Sequence, residues 1–133
     1  MALTAEDGTA ITDLINRHGH LTDSGEFDRM HELFTADAVY DVRDLGGGVL
    51  TGLTTLREAA HALGERNPVA HHVTNIVLTE TTNNLVQALS KGVGIYTDGT
   101  IHSVTYEDTV ERGDDGWRIS HRTVRARRVP LMR

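Results

Sequence analysis

Beyond Pro68 this chain reads as four long strands joined by turns, and the turns dictate how the strands must lie. The strand candidates are residues 69 to 80, 84 to 97, 100 to 112 and 116 to 127, and the separators are Asn83-Asn84, Asp98-Gly99 and Gly113-Asp114-Asp115-Gly116. Such turn-formers in so few residues make hairpins. A parallel return needs a crossover of a dozen or more residues, so these neighbours must be antiparallel. A meander of this kind has a face to bury, and the first half of the chain must cover it.

That first half predicts three helices and a hairpin. Thr4 with Asp7 marks a helix start, after which Ile11, Leu14, Ile15, His18 and Leu21 recur at helical spacing for about five turns. Gly19 and the cluster Thr22-Asp23-Ser24-Gly25 weaken and end it. Phe27, Met30, His31, Leu33 and Phe34 predict a shorter second helix. Ala38-Val39-Tyr40-Asp41-Val42 and Val49-Leu50-Thr51 read as paired strands around the flexible Gly46-Gly47-Gly48. Thr54 opens a third helix with Leu56, Ala59, Ala60 and Leu63 on one side, closed by Gly64 and by Pro68 beyond. The fold class is α+β, with three N-terminal helices packed on a mainly antiparallel sheet. Residues 1 to 133 are expected to form one domain, burying roughly two-thirds of its surface.

Charge removes some functions. A net charge of −6, with Lys91 the one lysine among 13 basic residues, leaves no basic face for nucleic acid or an anionic membrane. The tail Arg125-Ala126-Arg127-Arg128 is too short to change that and reads as a subunit contact or pocket rim. There is no cysteine, hence no disulfide, thiolate metal site or cysteine nucleophile. The N-terminal residues lack a signal-peptide pattern and no stretch approaches membrane-spanning length, so a cytoplasmic location is expected.

The chemistry centres on His71. Strand alternation puts Val69, His71, Val73, Asn75 and Val77 on one face and Ala70, His72, Thr74, Ile76 and Leu78 on the other. An imidazole in an apolar row needs a partner, and Asp23, just past the first helix, is the candidate; a carboxylate there would fix the tautomer and raise the basicity. The competing reading is a satisfied core histidine and a helix-terminal cap. Arg122 shares a face with Arg118, Ser120 and Val124, opposite Trp117, Ile119 and His121; in a pocket it would stabilise an oxyanion, outside one it is a surface arginine. Tyr40, flanked by Ala38 and Val42, either donates to a substrate oxygen or packs in the core. His18 lies on the apolar side of the first helix, where it packs or partly lines a pocket. Asn75 either orients substrate or makes a cross-strand hydrogen bond.

Eight histidines invite a metal, but the spacing is wrong. His71 and His72 point to opposite faces, and His18 and His20 are about 200° apart on a helix. There is no His-Glu-x-x-His, so no metal is expected. Gly46-Gly47-Gly48 lacks the following Lys-Ser/Thr of a phosphate loop, and no Gly-x-Ser-x-Gly elbow is present.

The residues Ala10-Ile11-x-x-Leu14, then Asp23, Leu33-Phe34-Thr35-Ala36-Asp37-Ala38-Val39-Tyr40, Gly52, His71-x-x-x-Asn75 and Gly116-Trp117-Arg118-Ile119 occur in an order that resembles the SnoaL-like branch of the NTF2-like superfamily. The resemblance covers nearly the whole chain and implies a cone of helices on a strongly curved sheet. Within that branch the chain is similar to the scytalone dehydratase and lindane dehydrochlorinase types, which use an Asp/His dyad in a cone-shaped pocket. That implies Asp23 and His71 as the catalytic pair. Arg122 falls five residues after Trp117, where the dehydrochlorinases have a pocket arginine. The dehydratases add a pair of tyrosines and a second histidine, of which only Tyr40 has a match. Other relatives are polyketide cyclases, ketosteroid isomerase and proteins without catalysis.

The implied function is a cofactor-independent lyase or isomerase (dehydratase, elimination, double-bond isomerisation or cyclisation) acting on a small hydrophobic oxygenated molecule. His71 and Asp23 would be catalytic, and Arg122, Tyr40, Asn75 and His18 would bind substrate. The alternative is a non-catalytic ligand-binding or association module of the same fold. By resemblance a homodimer or homotrimer is expected.

Overall fold

The computed structural model describes residues 3 to 131. Helix α1 (Ala5–Asp23) leads into a 3₁₀ segment (Phe27–Glu32) and strand β1 (Phe34–Asp41), followed by β2 (Val49–Thr51) and helix α2 (Leu53–Leu63). The meander is β3 (Ala70–Thr82), β4 (Leu85–Ile95), β5 (Ile101–Gly113) and β6 (Gly116–Arg127). One six-stranded sheet results, ordered β2-β1-β6-β5-β4-β3, in which only β1 against β6 is parallel. The α+β architecture and the strand boundaries of the meander agree closely with the sequence reading. No helix among the described residues is long and apolar enough to cross a membrane.

The second helix is the main departure. Phe27–Glu32 is a 3₁₀ segment rather than an α-helix, and Phe34 already belongs to β1. The cause is tertiary: the Ile119 N–H donates to the Leu33 carbonyl (2.8 Å) and Phe34 pairs with Ile119, so joining β6 outweighs the helical spacing of the apolar residues. Too few residues then remain after Gly25 for a longer helix. The core gathers Ile11, Ile15, Leu33, Phe34, Val86, Val110 and Ile119, each 2 % exposed or less.

Two bulges redirect side chains. On β3, three residue steps from Thr74 to Val77 oppose two on β4, from Lys91 to Leu89, and Asn75 takes up the extra step at φ 57°. Ile76 and Leu78 therefore turn to the core while Asn75 and Val77 are exposed. The sequence assignment of these four to faces is corrected: His71 shares its side with Val73, then Ile76 and Leu78. On β6, Ser120 is the extra residue between the pairs Val110–Ile119 and Thr109–His121. Trp117, Ile119, Arg122 and Val124 are consequently all buried, which corrects the expectation that Arg122 lies opposite Trp117 and Ile119.

The buried row of β4 tapers: Val86, Ala88, Ser90, Gly92, and then Gly94 further along. The missing side chains give up space. A Cβ on Gly92 would run into the Tyr106 ring on β5, and one on Gly94 would sit 3.4 Å from Pro68. The sheet is thus filled by its own row at the Val86 end, while at the glycine end the Tyr106 ring lies over Gly92 and Gly94 borders open space.

The N-terminus of α1 is fixed by a capping box. The Asp7 N–H donates to Thr4 Oγ1 (3.0 Å) and the Thr4 N–H returns a bond to the Asp7 carboxylate (3.4 Å). That carboxylate also accepts from the Trp117 indole N–H (3.1 Å) and from Arg112 (2.9 Å). These donors, the indole foremost, hold its pKa at about 2 against the ordinary 3.8, with burial opposing them. A depressed carboxylate pKa adds stability that is complete above the unfolded value and lost as pH falls through the folded one. Asp7→Asn should therefore remove part of the wild-type advantage at neutral pH, and the two urea midpoints should converge as pH drops from about 4 to about 2. Equal pH dependence in the two proteins would contradict this anchor.

Candidate active site

A glycine brings the two halves of the site together. Gly19 lies on α1 directly against β3, where a Cβ would stand 3.1 Å from the His71 carbonyl oxygen and 3.4 Å from His71 Cβ. Asp23, four residues on, occupies the same helix face one turn later. Its carboxylate is held from two directions: the His71 backbone N–H donates to Oδ2 (3.0 Å), and His71 Nδ1 lies 2.6 Å from Oδ1. A carboxylate accepts only, so Nδ1 carries the proton and Nε2 is left as the basic nitrogen. Both side chains are largely shielded, at 15 % and 27 % exposure.

Gly19 looked only like a weak point of the helix in the sequence, yet it sets the depth at which Asp23 meets His71. Gly19→Ala trades a helix-propensity gain of about 1 kcal/mol against a tight backbone contact and should be close to neutral. Gly19→Val should cost about 1–3 kcal/mol by overpacking and lengthen the Asp23–His71 contact. Urea melts, together with the imidazole NMR signals of His71, would measure both effects. A valine variant of unchanged stability and unchanged His71 signals would show that the close approach is unimportant.

His71 forms part of the wall of a cavity of about 460 Å³. The wall is mostly apolar, with Phe27, Met30, Phe34, Val42, Leu50, Leu56 and Val104, and the space is that left by Gly94 and its neighbours. His18 and Tyr40 line it beside His71: the His18 ring lies 6.4 Å from His71, 6.2 Å from Tyr40 and 5.7 Å from Phe34, centroid to centroid. Tyr96 and His102, with rings 4.9 Å apart, and Arg66 also border it. Burial pushes the His18 pKa well below its ordinary value, and the charge of Arg122 acts in the same direction, as does an imidazolium at His71 once it has taken a proton, so the His18 ring is neutral. Burial raises the Tyr40 pKa and outweighs the opposing effect of Arg122, so the phenol stays protonated.

Arg122 stands behind this wall. It is fully buried, as is Asp108, with Nε donating to Oδ1 (2.7 Å) and Nη2 to Oδ2 (2.9 Å). Burial alone would lower its pKa, and the Asp108 carboxylate more than reverses this. The guanidinium lies over the Tyr106 ring at 4.3 Å and near Tyr40 and Phe34 at 6.0 and 5.9 Å. Its role as a cavity-lining residue is corrected: Tyr106, Tyr40 and Phe34 line the cavity and Arg122 supports them. Asn75, exposed at its bulge, lies outside the cavity, because the extra residue turns that position outward. Of the six site residues read from the sequence, the structure therefore gathers Asp23, His71, His18 and Tyr40.

Asp108 escaped the sequence reading, although a carboxylate in the row Val104-x-Tyr106-x-Asp108-x-Val110 was a signal that some buried cation must answer it. Among the described residues no group of three or more His, Cys, Asp or Glu side chains could hold a metal ion.

The model of the SnoaL-like domain family matches residues 3 to 123. The chain belongs to the SnoaL-like family. Solved structures share its fold. A candidate aromatic ring hydroxylase from Novosphingobium aromaticivorans is 27 % identical, with a TM-score of 0.81 over 99 % of this SnoaL-like chain and 94 % of its own. A candidate scytalone dehydratase from the same organism is 20 % identical, with a TM-score of 0.76 over 90 % and 83 % of the two chains. A hexachlorocyclohexane dehydrochlorinase from Novosphingobium barchaimii is 19 % identical, with a TM-score of 0.78 over 93 % and 90 %. No curated protein matches the sequence.

Proposed function

We propose that this SnoaL-like protein is a cofactor-independent lyase or isomerase in which His71 removes a proton from a small hydrophobic oxygenated molecule. The observation that carries the reading is the doubly held Asp23–His71 pair, whose ring borders an apolar cavity. Asp23 fixes the tautomer and balances the imidazolium once the proton has moved, so His71 can return it elsewhere on the substrate or to a leaving group. Dehydration, elimination, double-bond migration and cyclisation share that first step. Tyr40 supplies a hydrogen-bond donor beside it.

The test is proton exchange at carbon. Small neutral ketones, 1-tetralone among them, would be incubated in D₂O and followed by proton NMR and mass spectrometry. Deuterium entering next to the carbonyl faster than in buffer supports a base in the cavity. Ligands recovered bound but unlabelled would favour the non-catalytic binding module.

The same reading includes a homodimer or homotrimer formed over the outer sheet face. There the paired Val77 and Leu89 are 57 % and 47 % exposed. Light scattering after size exclusion should give two or three times 14.6 kDa. Val77→Lys should shift it toward one. A monomer at micromolar concentration in the wild type would contradict the expectation.

A further inference from the structure

We infer that His18 selects a carbonyl oxygen at the buried end of the cavity, so that the pocket takes uncharged ketones or enones; this rests on reading His71 as the base. His18 is 7 % exposed and lines the cavity, yet neither ring nitrogen makes a hydrogen bond among the described residues, and Nδ1 is sealed off without a partner. A buried polar group left bare calls for an explanation, because desolvation is not repaid until a partner arrives. An orphan N–H is harder to tolerate than an orphan lone pair. The proton of the neutral ring therefore belongs on Nε2, the nitrogen left for the cavity, and the sealed Nδ1 keeps the lone pair.

This places two neutral donors, the His18 N–H and the Tyr40 O–H, on rings 6.2 Å apart in the cavity wall, with the His71 ring 6.4 Å from that of His18. A carbonyl oxygen fits between the donors with its α-carbon toward His71. When His71 takes the α-proton, the C–H electrons form a carbon–carbon double bond and the carbonyl pair moves to oxygen. That oxygen gains charge where two fixed donors already point. Reprotonation at carbon returns the ketone or shifts the double bond, with no other reactant required. A carboxylate or phosphate would reach no cation at this end: Arg122 is paired with Asp108 and stands behind Tyr106 with its unpartnered Nη1 sealed in, and Arg66, the arginine in the cavity wall, is exposed to solvent in the segment after α2. A hydrocarbon would leave His18 as bare as before.

Binding of 1-tetralone and of tetralin, its hydrocarbon counterpart, would be compared by titration calorimetry. Wild type should favour the ketone by about tenfold relative to His18→Phe, the scale of one good hydrogen bond to a buried donor. Tetralin affinity should stay the same. His18→Gln, which keeps an N–H donor, should restore part of the preference, and His18→Leu serves as the apolar variant if phenylalanine disturbs folding. A ketone-to-hydrocarbon ratio unchanged in the apolar variant overturns the inference. The two readings separate cleanly. Loss of exchange in His71→Ala with an unchanged ratio in His18→Phe leaves the base standing and removes the selector. Exchange surviving in His71→Ala with the ratio lost in His18→Phe does the reverse.

Discussion

His71→Ala should lower α-proton exchange on the fastest-exchanging ketone by about 10²- to 10⁴-fold, the usual contribution of a positioned general base. The fold should survive. The bond from the His71 backbone N–H to Asp23 does not depend on the side chain, and 15 % of that side chain is exposed, so one of the two hydrogen bonds between His71 and Asp23 remains, as does the packing of α1 on β3. The melting temperature is therefore expected to fall by only a few degrees, and ketone binding to persist. This combination separates a catalytic imidazole from a structural one: a purely structural histidine would lose stability and exchange together. Retained exchange in a folded His71→Ala protein would end the proposal that this residue is the base.

Asp108→Ala should be the most damaging single change to stability. Arg122 has no exposed surface, and among the described residues its charge is balanced by Asp108 alone, at 2.7 and 2.9 Å. Removing one member of such a pair leaves an unbalanced charge in the interior and typically costs about 3–5 kcal/mol. For a chain of this size that corresponds to a fall in melting temperature on the order of 10–20 °C. Part of the loss reflects the stranded partner rather than the strength of the pair. The double variant Asp108→Leu with Arg122→Met should accordingly recover much of it, and thermal melts of the three proteins measure the difference. If the double variant is no more stable than Asp108→Ala, the pair does more than neutralise itself, and its contacts with Tyr106 and Tyr40 become the place to look.

The alternation and turns of the second half were enough to order the meander, because each hairpin fixes its own partner locally. The turn-formers after residues 82, 97 and 112 lie within a residue or two of the observed strand ends. The β1–β6 pairing joins residues some 80 positions apart, and no local pattern around Phe34 announces it, so that segment looked helical. The bulges at Asn75 and Ser120 were hidden for a related reason. One extra residue reverses a face without changing composition, and only the register of the neighbouring strand reveals it. This is why Asp23, His71, His18 and Tyr40 were legible as a group while Asn75 and the face of Arg122 were not. Gly19 was visible and misread, since its value lies in what it lets approach.

The taper along β4 separates two properties that are usually entangled. The dyad sits between α1 and β3, whereas the room in front of it is shaped on the next strands, by Gly94 in the cavity wall and by Gly92, which lets the Tyr106 ring of that wall lie down against β4. Descendants of this sequence could thus change the girth of the molecules they admit by one or two codons at those glycines, leaving the proton-transfer pair untouched. Specificity would then drift along one strand like the setting of a diaphragm, while the chemistry behind it stayed constant.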